Sequence, residues 1–192
     1  MKKACSICGT AQHKFVDYNG RKRARCPGCR GLERHRSVFS ALRQLEVFTR
    51  FKRRTALLMV SLDIAYFARL KRHFNVSVLT LEENQKGTTY GDVCIPPFKP
   101  NTFVIVLQVH MMEHEKNDRG ATRSIYGLMK HGGVYISNVP YRGDKTVEFG
   151  EAKPDQHGHW RLYGAADYIQ LLRDCGFVRV RQLGSTFVAE KD

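Results

Sequence analysis

The 192-residue chain is short of acidic side chains, with 18 Asp and Glu against 32 Lys and Arg. It also lacks a long apolar run, since its most apolar stretches, 56–60 and 103–109, are far shorter than the roughly 20 residues of a spanning helix. We therefore expect no membrane insertion. The formal net charge of +14 makes a polyanion the first partner to consider.

No apolar stretch follows the basic residues at the start of the chain, so the sequence predicts no signal peptide and a cytoplasmic protein. The positive charge is uneven. Residues 1–54 contain 15 Lys and Arg but three Asp and Glu, a net charge of +12. Residues 55–192 carry a net charge of +2, so nearly all the excess lies in the first quarter.

Four of the six cysteines form two Cys-x-x-Cys pairs separated by seventeen residues: Cys5, Cys8, Cys26 and Cys29. This spacing is typical of a zinc ribbon, in which four thiolates surround one structural ion and leave no open position for catalysis. Two disulfides are a weaker alternative because a reducing cytosol disfavours them. A redox dithiol would need one pair alone.

The segment between the cysteine pairs reads as strand, Asn-Gly turn, strand, and it is strongly basic. With Phe15 and Tyr18 as stacking surfaces, it could bind a nucleic acid. The alternative is a solvated basic face without a ligand. The candidate phosphate-binding residues are Lys14, Arg21, Lys22, Arg23, Arg25, Arg53 and Arg54.

Apolar residues spaced by three or four predict an amphipathic helix from Glu33 to Phe51. We divide the chain into a ribbon over 1–36, a basic linker helix over 37–54 and a larger domain over 55–192. In the larger domain, β-branched runs alternate with helical segments and a two-strand hairpin ends the chain. This order predicts an α/β fold with a mostly parallel, doubly wound sheet covered on both faces.

Five sequence motifs occur in a recognisable order, at 26–36, 91–98, 103–114, 132–140 and 159–164. Together they resemble the class I S-adenosylmethionine-dependent methyltransferases. More narrowly, they resemble a bacterial and phage group that joins a four-cysteine ribbon to a methyltransferase domain. The resemblance implies a Rossmann-like sheet with the cofactor across the carboxyl ends of its strands. It also implies cofactor-binding roles for Ser61, Asp63, Glu82, Asp92, Val93 and Gln108.

One departure from that family leaves the activity open. The stretch 60–66, after the first strand of the domain, contains no glycine, whereas the family has a glycine-rich turn there. Leu62 and Tyr66 could fill the space of the methionine moiety. Asp63 and Asp92 have an alternative role in helix capping and turn formation.

The motif His110-x-x-Glu113-His114 also matches the inverted zinc-peptidase motif. Such an enzyme needs a third protein ligand, and the motif directly follows a buried strand where the methyltransferase resemblance expects it. We therefore interpret it as part of an acceptor pocket, with His110 and His114 facing the crevice above the sheet, and capping or packing of the following helix is the alternative. The candidate pocket residues are His110, Glu113, His114, His159, Arg161 and Tyr163, and none is assigned a catalytic step.

Three hypotheses follow from the sequence. The first is a methyltransferase that modifies a nucleic acid, such as structured RNA, held by the basic ribbon. The second is a degenerate methyltransferase fold that binds nucleic acid or protein without catalysis. The third is a small-molecule or sugar methyltransferase stabilised by its ribbon. Expected cofactors are structural zinc and S-adenosylmethionine, and the sequence gives no indication of oligomeric state.

Overall fold

The structure is a computed structural model that describes residues 4–62, 64–83 and 85–192. The candidate cofactor residue Asp63 therefore lies outside the described residues. None of the described helices is long and apolar enough to cross a membrane.

The amino-terminal ribbon contains a short 3-10 turn, Gln12–Lys14, and an antiparallel hairpin of β1 (Val16–Tyr18) and β2 (Arg21–Arg25). Asn19 and Gly20 both have positive φ, +47° and +73°. A tight hairpin turn of this kind requires left-handed backbone at both central positions, which Asn and Gly adopt readily. The predicted hairpin is confirmed.

Two helices follow the ribbon, α1 (Glu33–Gln44) and α2 (Val47–Arg50). The single helix predicted through this region is wrong, because Glu46 has φ +51° and breaks the helical path between them. At the start of α1, the backbone N–H of Leu32 donates to Nδ1 of His35. The Arg36 guanidinium donates to the carbonyls of Ala24 and Gly31 and so ties the helix to the ribbon.

The remaining elements belong to the α/β part of the chain. In chain order they are β3 (Ala56–Val60), α3 (Ile64–Leu70), β4 (Asn75–Thr80), β5 (Thr89–Tyr90), β6 (Phe103–Val109), α4 (Asp118–Leu128), β7 (Met129–Asn138), β8 (Val147–Lys153), β9 (His159–Leu162), α5 (Ala165–Asp174), β10 (Val178–Leu183) and β11 (Thr186–Glu190). Two further 3-10 turns cover Met112–His114 and Pro154–Gln156.

Seven strands form the central sheet in the order β10-β11-β7-β6-β3-β4-β5. The pairs from β7 to β5 are parallel, whereas β11 runs antiparallel to both β7 and β10. The predicted mostly parallel sheet with a terminal hairpin is confirmed. The strand order reverses between β3 and β6, and an open α/β sheet leaves a crevice at the carboxyl ends of such a pair.

Side chains of β3 alternate between the two faces of the sheet, as the two-residue period of a strand requires. Leu57 and Met59 belong to an apolar cluster with α1, α3 and the ribbon, and Leu58 and Val60 belong to another with α4 and α5. Ile7 of the ribbon lies in the first cluster. The ribbon and α1 therefore share a core with the sheet.

A second hairpin, β8 and β9, stands outside the main sheet between β7 and α5. It was not predicted, because most of β8 is exposed and its sequence lacks an apolar stripe. This hairpin places His159 at the start of β9, beside the turn that follows β6.

Candidate functional site

Two neighbouring strands, β3 and β6, are each followed directly by a residue with left-handed backbone at the carboxyl edge of the sheet. Ser61 has φ +69° and His110 has φ +50°. A positive φ is uncommon for residues other than glycine and is often found at functional sites. The backbone N–H of Ser61 donates to the carbonyl of Leu79, and that of His110 donates to the carbonyl of Asn138. The strand ends are thus fixed to their neighbours.

On the β4 side of Ser61 lies a cavity of about 170 Å³. The exposed Glu82 lies on its rim, two residues after β4, with its backbone N–H donating to Oγ1 of Thr80. Among the residues that the structure describes, no cationic side chain comes within 4 Å of the Glu82 carboxylate. The lining residues are Val60, Ser61, Leu79, Thr80, Leu81, Glu82, Gly91, Val93, Met111 and Glu115.

A second cavity of about 210 Å³ lies on the other side of Ser61. Both cavities are lined by Val60 and Ser61, so the crevice continues past the end of β3. Arg34 from the first turn of α1 lines this second cavity, and sequence reasoning missed it because α1 was assigned to the ribbon and linker. The lining residues are Arg34, His35, Val60, Ser61, Leu62, Tyr66, Val109 and His110.

Leu62 and Tyr66, the side chains that could have filled the crevice, form part of its wall. Tyr66 is 1% exposed and belongs to the apolar cluster under α1. Its ring meets that of His35 edge to face at 6.0 Å between centroids. The cavity remains beside them, so neither of these two side chains closes the crevice.

The other expected cofactor residues have different surroundings. Val93 is buried in the wall of the first cavity. Asp92 is exposed, and its Oδ1 accepts a hydrogen bond from the backbone N–H of Cys94 at 2.7 Å, which is a turn-forming contact. Gln108 is 1% exposed and donates through Nε2 to Oγ of Ser137, and it lines neither cavity.

Arg161 and Tyr163, expected in an acceptor pocket, are buried and held by other parts of the chain. The guanidinium of Arg161 donates to the carbonyls of Glu115 and Lys116 and to the Glu148 carboxylate. The hydroxyl of Tyr163 donates to Asp118 Oδ2 at 2.8 Å, and burial raises the pKa of this tyrosine. These contacts fix β9 against the segment after β6, and neither residue lines the two cavities.

The remaining candidate pocket residues lie together at the end of β6. The Glu113 carboxylate is fully buried, with Nδ1 of His110 at 3.1 Å and Nε2 of His159 at 4.0 Å from its Oε1. The rings of His114 and His159 meet edge to face at 4.7 Å between centroids. Burial lowers the pKa of His159, and the neighbouring His114 and His110 act in the same direction.

The four ribbon cysteines form one cluster, with all four Sγ atoms within 4.8 Å of one another. Sγ of Cys5 lies 3.7 Å from that of Cys29, and Sγ of Cys8 lies 3.5 Å from that of Cys26. Thiolates around a tetrahedral zinc at about 2.3 Å would lie about 3.8 Å apart. The donor set and its spacing therefore fit a zinc ion.

The cysteines of the cluster differ in acidity. Burial raises the pKa of the Cys5 and Cys29 thiols. Burial acts in the same direction at Cys8, but hydrogen bonds from Thr10 bring the pKa of this thiol down to about 6. Oγ1 of Thr10 lies 3.1 Å from Sγ of Cys8. A thiolate at Cys8 is thus already favoured near neutral pH, as a metal ligand requires.

The basic side chains of the hairpin lie at the surface. Lys14, Arg21, Lys22 and Arg23 are exposed, as are Arg53 and Arg54, whereas Arg25 is half-buried. The Arg21 guanidinium is paired with Glu33 at 3.1 Å. The predicted surface is therefore basic, but the aromatic part of the prediction is wrong for Phe15.

Phe15 is 6% exposed and lies under the Arg36 guanidinium at 4.6 Å, so its ring is not available for base stacking. The Arg25 guanidinium lies 5.3 Å from the centre of the Tyr18 ring. Aromatic rings interleaved with Arg and Lys look like a stacking surface in sequence, but here they pack against guanidinium groups of α1 and of β2.

Comparison with solved structures shows that the fold is that of S-adenosylmethionine-dependent methyltransferases. The match to a phosphoethanolamine N-methyltransferase of Haemonchus contortus bound to S-adenosylhomocysteine has a TM-score of 0.56 and 21% identity. It covers 74% of this chain and 37% of that protein, so the chain spans well under half of that enzyme.

Two other matches cover more of both chains. A 1,6-didemethyltoxoflavin N1-methyltransferase of Burkholderia thailandensis, solved with S-adenosylhomocysteine, has a TM-score of 0.60 and 16% identity over 81% of this chain and 77% of its own. A methyltransferase of Thermotoga maritima has a TM-score of 0.57 and 15% identity over 81% of this chain and 91% of its own. No protein-family model matches the sequence, and no curated protein matches it.

Proposed function

We propose that the chain is a methyltransferase that uses S-adenosylmethionine. The observation that carries the proposal is the crevice at the carboxyl ends of β3 and β4, with Glu82 on one side of Ser61 and Arg34 on the other. Methyltransferases with the same fold bind S-adenosylmethionine or its product S-adenosylhomocysteine. When bound, the cofactor would supply a methyl group to an acceptor atom, with S-adenosylhomocysteine as the leaving group.

The residues present suit the chemical groups of that cofactor. The Glu82 carboxylate can accept hydrogen bonds from the two ribose hydroxyls, as a charged acceptor does strongly. Val93 offers an apolar contact beside it in the same cavity. Arg34 is a cation that can pair with the carboxylate of the methionine moiety, since guanidinium and carboxylate groups match in shape and charge.

The ribbon cysteines are proposed to hold one structural zinc ion. Their sulfur atoms are already at ligand spacing, and a segment this short has a small core of its own. The ion would fix the two Cys-x-x-Cys turns and, through Arg36, the start of α1. Because Arg34 lies in the first turn of that helix, zinc binding would also position one wall of the crevice.

The acceptor is proposed to be a nucleic acid, bound through the basic surface of the ribbon. The charges that support this are the exposed Lys22 and Arg23 on the hairpin and the exposed Lys14 in the turn before it, which can contact several phosphates. The hairpin belongs to the ribbon, which also shares a core with the crevice-lining α1. A small-molecule acceptor would have no need of this surface.

Calorimetric titration with S-adenosylhomocysteine tests the cofactor, and transfer of labelled methyl groups to RNA, DNA or metabolite fractions tests the acceptor. Binding together with transfer to nucleic acid is the expected result. Binding with transfer to small molecules alone would contradict the nucleic-acid acceptor. No binding by zinc-loaded, folded protein would contradict the methyltransferase proposal and favour a module without catalysis.

A further inference from the structure

A second cluster of metal-binding side chains lies apart from the cysteines. One ligand atom each from Glu113, His114 and His159 lies within 4.8 Å of the other two. Glu113 and His114 belong to the 3-10 turn Met112–His114 directly after β6, and His159 is the first residue of β9. Distant segments therefore bring two imidazoles and one carboxylate together.

The carboxylate of this cluster is buried without a hydrogen-bonding partner. Glu113 is 0% exposed, and in the described part of the chain neither of its oxygens receives a hydrogen bond. No Lys or Arg side chain within that part pairs with it, although the protein carries a net charge of +14. The groups within ion-pair distance of it in the described residues are the imidazoles of His110 and His159. Burying a carboxylate that accepts no hydrogen bond costs on the order of several kcal/mol in a protein. A bound cation would remove that cost.

We propose that Glu113, His114 and His159 bind a divalent first-row transition-metal ion such as Zn²⁺ or Mn²⁺. Imidazole and carboxylate ligands suit these ions, in contrast to the four soft thiolates of the ribbon. Three protein ligands leave coordination positions open to water or another oxygen ligand, which is typical of catalytic rather than structural sites.

His110 supports this site from its other side. Its Nδ1 lies 3.1 Å from Oε1 of Glu113, within ion-pair distance although not in hydrogen-bonding geometry, and His110 also lines the second cavity of the crevice. With a metal ion bound, His110 would be placed to orient the carboxylate ligand, as residues next to metal ligands commonly do. Of the two histidines in the peptidase-like motif, His114 is thus a proposed metal ligand and His110 is not. The second imidazole ligand is His159. Binding at this site does not depend on the proposed methyltransferase activity.

The test uses the full chain with its ribbon already loaded with zinc. Isothermal calorimetry measures the binding of Mn²⁺, which competes poorly for four thiolates. In a second experiment the protein is incubated with Zn²⁺ and passed through gel filtration, and its metal content is then measured. We expect one further ion per chain. His114→Ala and His159→Ala should each weaken that binding at least about tenfold, since even residues beyond the direct ligands contribute about 10- to 100-fold.

The matched control is His131→Ala, which removes an exposed histidine on β7 outside the cluster and should leave both ions in place. Circular dichroism of each variant establishes that it is folded. Glu113→Gln also removes a proposed ligand, but this glutamate is fully buried and its replacement can affect folding. The test therefore relies on His159→Ala beside it. A folded wild-type chain that takes up no second ion at millimolar metal would overturn the proposal, as would unchanged binding by both histidine variants.

Discussion

Replacing Glu82 by alanine tests whether the first cavity binds the ribose of the cofactor. The Glu82 carboxylate is exposed at the rim, and none of the described cationic side chains lies within 4 Å of it. The substitution therefore removes no ion pair of the described part of the fold. Hydrogen bonds to a charged group are worth about 1.5 to 3 kcal/mol, which corresponds to roughly a 10- to 150-fold loss of affinity.

The measurement is calorimetric titration of wild type and variant with S-adenosylhomocysteine. Glu83→Ala is the matched control, because Glu83 is the next residue, carries the same carboxylate group, is also exposed and does not line the cavity. It should bind as wild type does. Thermal unfolding of both variants should stay close to that of wild type, since neither residue is buried.

Two results would refute the reasoning in different ways. If wild type binds and Glu82→Ala binds equally well, the cofactor lies elsewhere or its ribose does not reach Glu82. If both glutamate variants lose affinity to the same extent, the effect is that of the general negative charge on this loop. Each result leaves the proposed metal site at Glu113 untouched, because that site is measured by metal uptake.

Four further predictions concern the crevice and the ribbon. Arg34→Ala should weaken S-adenosylhomocysteine binding about tenfold in calorimetry, through loss of a charge-assisted hydrogen bond. Cys29→Ser should lose zinc in metal analysis and lower the unfolding temperature, because metal binding contributes directly to folding. The double variant Lys22→Ala and Arg23→Ala should bind RNA with a weaker salt dependence. The slope of the logarithm of the binding constant against the logarithm of the salt concentration should fall in magnitude by about 2. Ser61→Gly should raise the free energy of unfolding by up to about 1 kcal/mol in denaturant titration, since its φ is +69°.

The central strands of the sheet were predictable because they are buried on both faces. Runs such as 56–60 and 103–109 are almost wholly apolar, and the intervening helical segments leave parallel pairing as the natural arrangement. The terminal strands β10 and β11 were recognisable from the Gly184-Ser185 turn. Short or exposed strands carry no such signal, and β5, with two residues, and β8 were both missed.

The site was only partly predictable, because its residues come from segments far apart in the chain. Glu82 and Ser61 could be expected from their places after strands. Arg34 could not, because its role depends on α1 packing against the sheet. The same packing means that a fragment starting at residue 55 would lose part of its core, so charge variants of the whole chain test nucleic-acid binding better.

The absence of glycine after β3 is best understood through the backbone rather than the residue type. A glycine-rich turn in this position serves to let the chain adopt a positive φ and approach the cofactor closely. Ser61 adopts that φ at a cost of about 1 to 2 kcal/mol, and the neighbouring strand ends with His110 in the same region. Strain of this kind persists only where the surrounding structure fixes it, as the backbone hydrogen bonds to Leu79 and Asn138 do here. Ser61 and His110 therefore adopt, without glycine, the positive φ that glycine adopts most easily, at the two positions that follow β3 and β6 and border the crevice.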